Sequence, residues 1–241
     1  MTESRVAQLT LKRPEKRNAL NMAACRDLIA AFDQADADPE IGAILLASKG
    51  PVFCAGMDLA EVLSADQDEL MALHERLFTM IDRARKPIIA AVQGPAIAAG
   101  MGLAANAHIV VAGKDARFAL TEIRIGLWPV VVFRAVARAI GERRATELSI
   151  SGRFMNAEES LAAGLATEIA EDPEARGMEI ALQLSSFSQV AMAGGLEHVS
   201  RTRGLPWNDA APINKEIRDL MMASQDFREA VNAFLEKRPP R

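Results

Sequence analysis

The stretch GPAIAAGMGLAAN, residues 94–106, decides how the rest of the chain is interpreted. It follows the apolar run PIIAAV at 87–92, which is typical of a buried strand. Gly94-Pro95 ends that strand, and small residues then continue almost without interruption. A helix that begins in such a stretch lets another backbone or a ligand come close, and its first amides lack partners. The residues alone leave two interpretations open, a tightly packed core helix and a site for an anion or oxyanion.

Apolar periodicity divides the remaining chain into alternating strands and helices. Strands are predicted at 6–11, 41–47, 87–92, 108–112 and 165–170. Helices are predicted at 21–37, 74–85, 143–150, 156–163, 174–190, 196–203, 213–222 and 226–237. Buried strands that alternate with helices are typical of an α/β fold with mostly parallel pairing. We therefore predict an α/β core over residues 1–190 and a helical C-terminal region over 191–241, with the link at 191–195.

The composition disfavours several classes of protein. The 241 residues are half hydrophobic and carry a net charge of −4, with acidic and basic side chains mixed along the chain. No basic patch favours a nucleic acid, and no apolar run is long enough for a membrane span. Two cysteines and three scattered histidines do not have the spacing of a metal site. Since the N-terminus has no secretory pattern, we expect a cytoplasmic protein with no nucleic-acid, membrane or metal partner.

A second junction between a loop and a helix is predicted in FCAGMDL, residues 53–59. Ala55-Gly56 allows a sharp turn, and Asp58 is suited to the N-cap of a short helix. The amide of Met57 is then left without a strand partner. On its own this is an ordinary helix start. If its free amide converges with one from the 94–106 stretch, however, the two would form an oxyanion hole.

Glu122 is the carboxyl group whose surroundings favour proton transfer. It lies in ARFALTEIRIGLWP, residues 116–129, among apolar neighbours. Burial of a carboxyl group raises its pKa toward the range of a general acid or base. The alternative is a surface ion pair with Arg117 or Arg124, which is the commoner situation for a glutamate. Trp128 is expected to anchor the core, with a place in the wall of a pocket as the alternative.

Taken together, these segments resemble the enoyl-CoA hydratase/isomerase (crotonase) superfamily. The matching pieces are LKRPEKRNALN (11–21), FCAGMDLAE (53–61), KPIIAAVQGPAIAAGMGLA (86–104), ARFALTEIRIGLWP (116–129) and AFLEKRPP (233–240). The specificity of the resemblance comes from the order of these pieces. It implies a crotonase-like α/β spiral of ββα units with a C-terminal helical region, assembled as a trimer or a dimer of trimers. It also implies a coenzyme A thioester as the substrate, with no separate cofactor.

The resemblance assigns roles to individual residues. The family's two oxyanion amides correspond to Met57 and Ala99, and the second of the two glutamates that hydratases use corresponds to Glu122. The coenzyme A path corresponds to Arg17, Ala19, Ala55, Met57, Asp58, Leu59 and Ala60. Phe234 corresponds to a C-terminal aromatic of the adenine pocket, which a neighbouring subunit can supply. A place in the apolar core is the alternative for this phenylalanine.

Three departures from the family pattern bear on the reaction. The first glutamate of the hydratases falls on Gly102, so that carboxylate is missing. The family's glycine triplet is Ala98-Ala99-Gly100 here, although Ala99 keeps its N–H. The small residues that hydratases often have at 130–133 are three valines and a phenylalanine. With one carboxylate and a bulkier, drier wall, we predict an isomerase-like shift of a double bond by Glu122.

Other functions remain open at this point. Asp58, Glu61 or Glu142 could supply a second carboxylate and restore an enoyl-CoA hydratase. Decarboxylation or thioester hydrolysis would need only the oxyanion hole and a local helper. A non-catalytic acyl-CoA-binding protein would explain the lost glutamate, but not a glutamate kept in apolar surroundings. A serine peptidase of related architecture is disfavoured because no serine occurs between Ser64 and Ser149.

Overall fold

The computed structural model describes residues 5–238 of the chain. Its strands are β1 (Val6–Leu11), β2 (Ala43–Ser48), β3 (Ile88–Val92), β4 (Ala96–Ile97), β5 (Ile109–Gly113), β6 (Arg117–Ala119), β7 (Met155–Asn156) and β8 (Glu168–Ala170). Its α-helices are α1 (Met22–Ala37), α2 (Leu59–Val62), α3 (Gln67–Phe78), α4 (Met80–Arg83), α5 (Ala99–Ala105), α6 (Phe133–Ile140), α7 (Glu142–Ser151), α8 (Ala157–Ala163), α9 (Pro173–Ser185), α10 (Gln189–Thr202), α11 (Trp207–Ala223) and α12 (Gln225–Leu235). Short 3₁₀ helices lie at Pro14–Lys16 and Glu122–Ile125.

A five-stranded parallel sheet forms the centre of the fold, with the strand order β1-β2-β3-β5-β8. Every residue of β2 is buried, as expected for a central strand that is covered on both faces. Ile44 and Leu46 belong to the larger apolar core, whereas Leu45 between them belongs to a smaller core that also contains Ala181 of α9. The predicted α/β class with parallel pairing is therefore confirmed.

Two successive ββα units bring the loops of the site together. Strands β3 and β4 with helix α5 form one unit, and β5 and β6 with helix α6 form the next. The first strand of each unit joins the five-stranded sheet, whereas the second strands, β4 and β6, pair with each other in a separate sheet that also contains β7. This repetition is the predicted spiral. Helices α10, α11 and α12 form the predicted C-terminal helical region.

The 94–106 stretch forms strand β4 and helix α5, and every residue of this helix is buried. Gly100 has no room for a side chain, because a Cβ atom there would overlap the carbonyl oxygen of Cys54. The helix therefore packs its backbone directly against the 53–59 loop. Close packing and a functional junction, the two interpretations of this stretch, are thus compatible with each other.

The helix predicted at 74–85 has different boundaries in the structure. It begins at Gln67, because the carboxylate of Asp66 accepts hydrogen bonds from the amides of Asp68 and Glu69 and so caps the helix. It ends at Phe78, and the short helix α4 follows it. As a result, His74 lies inside helix α3 rather than at a helix start, and its side chain is buried.

The link predicted at 191–195 is also wrong, since these residues lie inside α10. The side chain of Ser188 accepts a hydrogen bond from the amide of Ala191 and caps this helix before the predicted link begins.

Strands β6 and β7 escaped prediction because they have only three and two residues. The division at residue 190 stays a prediction, and its outer limits at residues 1 and 241 lie outside the described part of the chain. Within residues 5–238, no helix is long and apolar enough to cross a membrane.

Candidate active site

A cavity of about 310 Å³ lies where four segments of the fold meet. Its walls come from the 53–59 loop, from helix α3, from the start of helix α5 and from residues 121–132. The lining is mainly apolar, and the volume is at the lower end of the range for small-molecule sites. Met57, Ala99 and Glu122, the three residues predicted to do the chemistry, all line this cavity.

The amide of Met57 is a free hydrogen-bond donor. On one side of the loop, the N–H of Leu20 donates to the carbonyl of Gly56, and the N–H of Asp58 donates to the carbonyl of Leu20, both at 2.8 Å. Because successive amides of an extended chain point in opposite directions, the N–H of Met57 faces away from Leu20. It has no backbone acceptor among residues 5–238.

The amide of Ala99 is free for a different reason. Ala99 is the first residue of α5, and the first amides of a helix have no partner within it. The preceding Ala98 has φ 53° and ψ −117°, a conformation that alanine seldom adopts, and its N–H donates to the carbonyl of Ala119 at 2.7 Å. This bond ties the start of the helix to β6, so the amide of Ala99 is directed by a strained but anchored turn.

Pairing between the two loops brings these amides to the same cavity. The N–H of Ile97 donates to the carbonyl of Cys54 at 2.9 Å, which joins the 53–59 loop to β4. Gly56, directly before Met57, has φ 101° and faces the start of α5. A Cβ atom on Gly56 would lie 3.8 Å from the amide nitrogen of Ala99. The two junctions therefore lie side by side in the fold, and an oxyanion hole formed by their two amides stays a prediction.

Glu122 begins the 3₁₀ helix that follows β6, and its carboxyl group enters the cavity wall. Its Oε2 atom is buried and has no hydrogen-bond partner within the described part of the chain. Burial raises the pKa of Glu122 above its ordinary value of 4.5, and a hydrogen bond from its own backbone amide opposes this rise. The pKa of Glu122 is therefore shifted in the direction that was predicted from its apolar neighbours in the sequence.

The alternative of a surface ion pair for Glu122 is wrong. The guanidinium group of Arg124 donates to the carbonyl of Gly152 at 2.6 Å and lies over the ring of Phe154 at 5.7 Å. Arg117 is exposed on strand β6. No charged group contributes to the pKa of Glu122, so neither arginine neutralises it.

Val132 fills the space beside Gly102, where the hydratases of the resembled superfamily have their first glutamate. A Cβ atom on Gly102 would overlap Cγ1 of Val132 and would lie 2.7 Å from its Cβ and 3.2 Å from Cε1 of Phe78. The bulkier wall predicted at 130–133 is present, since three of its residues line the cavity. A glutamate at position 102 and the valine at position 132 would therefore compete for the same space.

The other carboxyl groups considered from the sequence do not belong to the cavity lining. Asp58 forms an ion pair with Arg13 at 3.1 Å, so its side chain does not cap α2 as predicted, although its backbone lies at the N-cap position. Glu61 accepts a hydrogen bond from the amide of Met22 at 2.7 Å. Glu142 is exposed at the start of α7. Among the described residues, Glu122 therefore supplies the only carboxyl group of the lining.

The residues predicted for the coenzyme A path lie on two adjacent loops. Ala55, Met57 and Leu59 line the cavity. Those outside its lining are Arg17, Ala19, Asp58 and Ala60. The carbonyl of Arg17 accepts a hydrogen bond from the amide of Ala55 at 3.0 Å, so the two loops are joined directly. Their contact with coenzyme A stays a prediction.

Two aromatic side chains are more exposed than a place in the core allows. Phe234 on α12 is 82% exposed, so the core alternative for this residue is wrong, while its role in an adenine pocket stays a prediction. Trp128 is 39% exposed, lines the cavity and lies 5.9 Å from the ring of Phe133. The expectation that Trp128 anchors the core is therefore wrong, and its alternative place in the wall of a pocket is confirmed.

His74 is a lining residue that the sequence analysis missed. It is only 3% exposed, its Nε2 atom is buried without a hydrogen-bond partner, and burial lowers its pKa. Its ring lies 5.9 Å from that of Phe78. The signal in the sequence is the i, i+4 spacing of Leu70, His74 and Phe78 on one helical face, which is also the pattern of an ordinary core histidine.

Metal-binding groups do not cluster in residues 5–238: no set of three or more His, Cys, Asp or Glu side chains could hold an ion there. Cys25 and Cys54 are both buried, and burial raises the pKa of each thiol to about 12. Both thiols are therefore protonated at neutral pH and are poor nucleophiles and poor metal ligands.

A mainly apolar cavity with one desolvated carboxyl group and two unpartnered amides has the features of an enzyme active site. The family model for Enoyl-CoA hydratase/isomerase matches residues 1–241. The chain belongs to this family, whose crotonase fold agrees with the spiral of ββα units described above.

Similar proteins cover nearly the whole chain. The putative enoyl-CoA hydratase of Thermus thermophilus is 36% identical, and the match spans 98% of this chain and 96% of that protein. The mitochondrial Delta(3,5)-Delta(2,4)-dienoyl-CoA isomerase of Mus musculus is 29% identical over 98% of this chain and 78% of its own. The crystal structure of an enoyl-CoA hydratase from Mycobacterium smegmatis superposes with a TM-score of 0.93 at 32% identity, covering 99% of this chain and 95% of the other.

Desolvation of Glu122 gives a prediction about stability that is independent of any reaction. Because the pKa of Glu122 in the folded protein lies above 4.5, ionisation of this group opposes folding at higher pH. Glu122→Gln should therefore raise the free energy of unfolding at neutral pH. Well below pH 4.5 the carboxyl group is protonated in both the folded and the unfolded state, so the difference between variant and wild type should fade.

Urea unfolding of both proteins across this pH range measures the effect. Glu158→Gln on the exposed face of α8 is the matched control and should not raise the free energy of unfolding at neutral pH, because Glu158 is not desolvated. The measured quantity is the gain in free energy of unfolding of Glu122→Gln over wild type. A gain that is smaller at neutral pH than at low pH would contradict the desolvated state of this carboxyl group.

Proposed function

We propose that this protein shifts a carbon–carbon double bond in the acyl chain of a coenzyme A thioester. Coenzyme A enters as part of the substrate, and no separate cofactor takes part. The observation that carries the proposal is the isolation of Glu122: it is the one carboxyl group among the described lining residues, and it shares its cavity with the free amides of Met57 and Ala99.

The proposed reaction uses each of these groups once. The carboxylate of Glu122 removes a proton from the carbon next to the thioester carbonyl, and the electron pair moves onto the carbonyl oxygen to give a dienolate. The N–H groups of Met57 and Ala99 donate to this oxyanion. Glu122 then returns the proton to the far carbon of the conjugated system, the carbonyl re-forms, and the double bond has moved with no change in mass.

Enoyl-CoA hydratase is the second candidate, and the names of the relatives favour it. The Thermus thermophilus relative and the Mycobacterium smegmatis structure are both described as hydratases. Addition of water needs a place for the water molecule and a second group to orient it. Val132 beside Gly102 removes the place where a second carboxylate would be, which favours the double-bond shift.

A non-catalytic acyl-CoA-binding protein is the candidate from another class. A buried carboxyl group without a partner costs folding free energy and contributes nothing to the binding of an apolar chain. Retention of Glu122 in this state therefore supports an enzyme. Product analysis with enoyl-CoA thioesters distinguishes the three candidates, since the expected product is an isomer, a hydratase gives a hydroxyacyl thioester, and a binding protein leaves the substrate unchanged.

We also propose that the chain assembles as a homo-oligomer, a trimer or a dimer of trimers. The C-terminal helices carry large apolar side chains that are exposed in the single chain. They include Trp207, Leu220, Met222, Phe227, Phe234 and Leu235. Burial of such side chains against a second copy would be favourable, because it removes apolar area from water. Light scattering of the purified protein measures the number of subunits.

The competition between Gly102 and Val132 predicts how hydration can be introduced. Gly102→Glu alone should destabilise the fold by roughly 1–3 kcal/mol, because the new side chain overlaps Val132 and Phe78. Gly102→Glu combined with Val132→Gly should recover most of that stability and should gain water addition to a 2-enoyl thioester. Urea unfolding measures the first effect, and mass analysis of the product measures the second.

Val132→Gly alone is the control, because it opens the space without adding a carboxylate. It should lose stability through the cavity it leaves, and it should not hydrate the substrate. If the single Gly102→Glu variant is as stable as wild type, Val132 does not occupy the space of that side chain. If the double variant is stable but fails to add water, the missing carboxylate is not what prevents hydration.

A further inference from the structure

The cavity has an exposed end and a buried end. Large apolar residues that are exposed to solvent form the first, and they include Leu59, Ile125 and Val130. Phe78 and Val132 also line the cavity, but both are buried. Coenzyme A is large and polar, so it can reach the cavity only from the exposed end. An acyl chain that enters ahead of it therefore extends toward the buried end.

Phe78 and Val132 form the wall at the buried end. Both side chains lie against Gly102 of α5, because a Cβ atom on this glycine would be 3.2 Å from Cε1 of Phe78 and 2.7 Å from Cβ of Val132. Gly102 itself does not line the cavity, whereas Phe78 and Val132 do. The two side chains therefore separate this part of α5 from the cavity.

This wall stands close to the amide that is proposed to hold the thioester oxygen. Gly102 follows Ala99 by three residues on α5, which is a rise of about 4.5 Å along the helix axis. An acyl chain that runs along α5 from a carbonyl held by Ala99 therefore meets Phe78 and Val132 within about one helical turn.

The volume of the cavity also limits the length of the chain. It is about 310 Å³, and a group the size of a water molecule takes up roughly 30 Å³. About ten non-hydrogen atoms therefore fill the cavity, and these include the sulfur and the carbonyl oxygen of the thioester. Room is left for about eight acyl carbons.

We infer that this protein acts on acyl chains of about eight carbons or fewer, and that Phe78 and Val132 set this limit. The inference rests on the proposed function only in placing an acyl chain in this cavity. Protein interiors are too densely packed to admit added methylenes without moving side chains or backbone. A longer chain therefore strains the buried end or draws the thioester carbonyl away from Ala99.

Binding of saturated thioesters tests the limit without turnover. Calorimetry compares butanoyl-, hexanoyl-, octanoyl-, decanoyl- and dodecanoyl-CoA with the wild-type protein. Each methylene that enters the cavity should strengthen binding by about threefold to fourfold, so affinity should rise as far as hexanoyl- or octanoyl-CoA. Decanoyl- and dodecanoyl-CoA should each bind about tenfold or more weakly than the tightest ester.

Variants of the wall assign the limit to its two side chains. Phe78→Ala removes the ring, so the tightest ester should lie further along the series, with decanoyl-CoA bound about tenfold more tightly than by wild type. Val132→Ala removes less and should strengthen decanoyl-CoA binding by a smaller factor. Phe187→Ala is the matched control, because Phe187 is exposed between α9 and α10 and lies outside the cavity lining. It should keep the wild-type order of affinities.

Tightest binding of decanoyl- or dodecanoyl-CoA by wild type would overturn the inference, as would failure of every ester to bind. An unchanged order of affinities in folded Phe78→Ala and Val132→Ala would overturn the role of the wall. If Phe78→Ala fails to fold, the wild-type series and Val132→Ala still decide the question. Conversion of a short enoyl-CoA to a hydroxyacyl thioester, with the length limit intact, would refute the proposed function and leave this inference standing.

Discussion

Replacement of Glu122 with glutamine should lower kcat for the double-bond shift by about 10²–10⁴-fold, the range that a positioned general acid–base contributes. Glutamine has nearly the same shape but cannot accept and return a proton. Affinity for a saturated acyl-CoA should change little, because the carboxyl group is unpaired in the cavity and does not hold another residue in place. Steady-state kinetics and calorimetry with a saturated thioester measure the two effects separately.

Glu158→Gln is the control for this experiment as well, since Glu158 lies on the exposed surface of α8. It should have the kcat of wild type. If Glu122→Gln keeps an unchanged kcat/KM, another group moves the proton, and the proposed mechanism is wrong. If the variant loses affinity for the saturated thioester to the same extent as kcat, Glu122 acts in binding rather than in proton transfer.

Removal of the Ala99 amide should have an effect of similar size. Ala99→Pro deletes the N–H, and proline is well tolerated at the first position of a helix because that amide has no partner within it. Loss of one oxyanion donor costs about 2.7–4 kcal/mol in known enzymes, which corresponds to about 10²–10³ in kcat. The effect should fall mainly on kcat, since the charge on the oxygen develops during the reaction.

Gln225→Pro provides a matched control for the proline. Gln225 is the exposed first residue of α12, and Ser224 before it is extended, as a residue before proline should be. This variant should keep full activity. The thermal midpoints of both variants show whether proline disturbs the fold, which matters at Ala99 because Ala98 has a positive φ. A folded Ala99→Pro variant with wild-type kcat would refute the role of this amide.

The part of the site that the sequence predicted consists of local features. A helix start has free amides wherever it lies in the fold, so the 94–106 stretch could be singled out as a candidate oxyanion site, and the resemblance to the crotonase superfamily then assigned the amide to Ala99. A carboxyl group among apolar residues is desolvated by its own neighbours, so Glu122 could be identified in the same way. The start of α3 was wrongly predicted at residue 74, and this error was also local. Asp66 with Glu69 three residues later is a capping signal in the sequence.

The part that the sequence did not predict depends on contacts between distant segments. Val132 and Gly102 compete for one space, but only the packing of the 121–132 segment on α5 makes them neighbours. His74 has the helical spacing of a core residue, and only the position of the cavity distinguishes it from one. Phe234 has the spacing of a helix face, yet that face of α12 is left exposed in the single chain.

The contact between positions 102 and 132 bears on which reaction the site can catalyse. One valine both fills the place of a second carboxylate and makes that wall apolar. We propose that this wall excludes water at the point where a hydratase would hold it, while Met57, Ala99 and Glu122 still line the cavity. On this proposal, glycine at position 102 and valine at position 132 would favour return of a proton over addition of water.

The most direct test of the account follows a deuterium label. A 3-enoyl-CoA thioester with both hydrogens on the carbon next to the carbonyl replaced by deuterium is incubated with the protein, and the product is analysed by mass and by the position of the label. We predict a 2-enoyl isomer of unchanged skeleton in which one deuterium stays on that carbon while the other has left it, with part of the lost deuterium at the far carbon, carried by Glu122. A hydroxyacyl product heavier by one water, or a label that stays wholly where it started, would contradict the proposal that one carboxyl group moves the proton between two carbons.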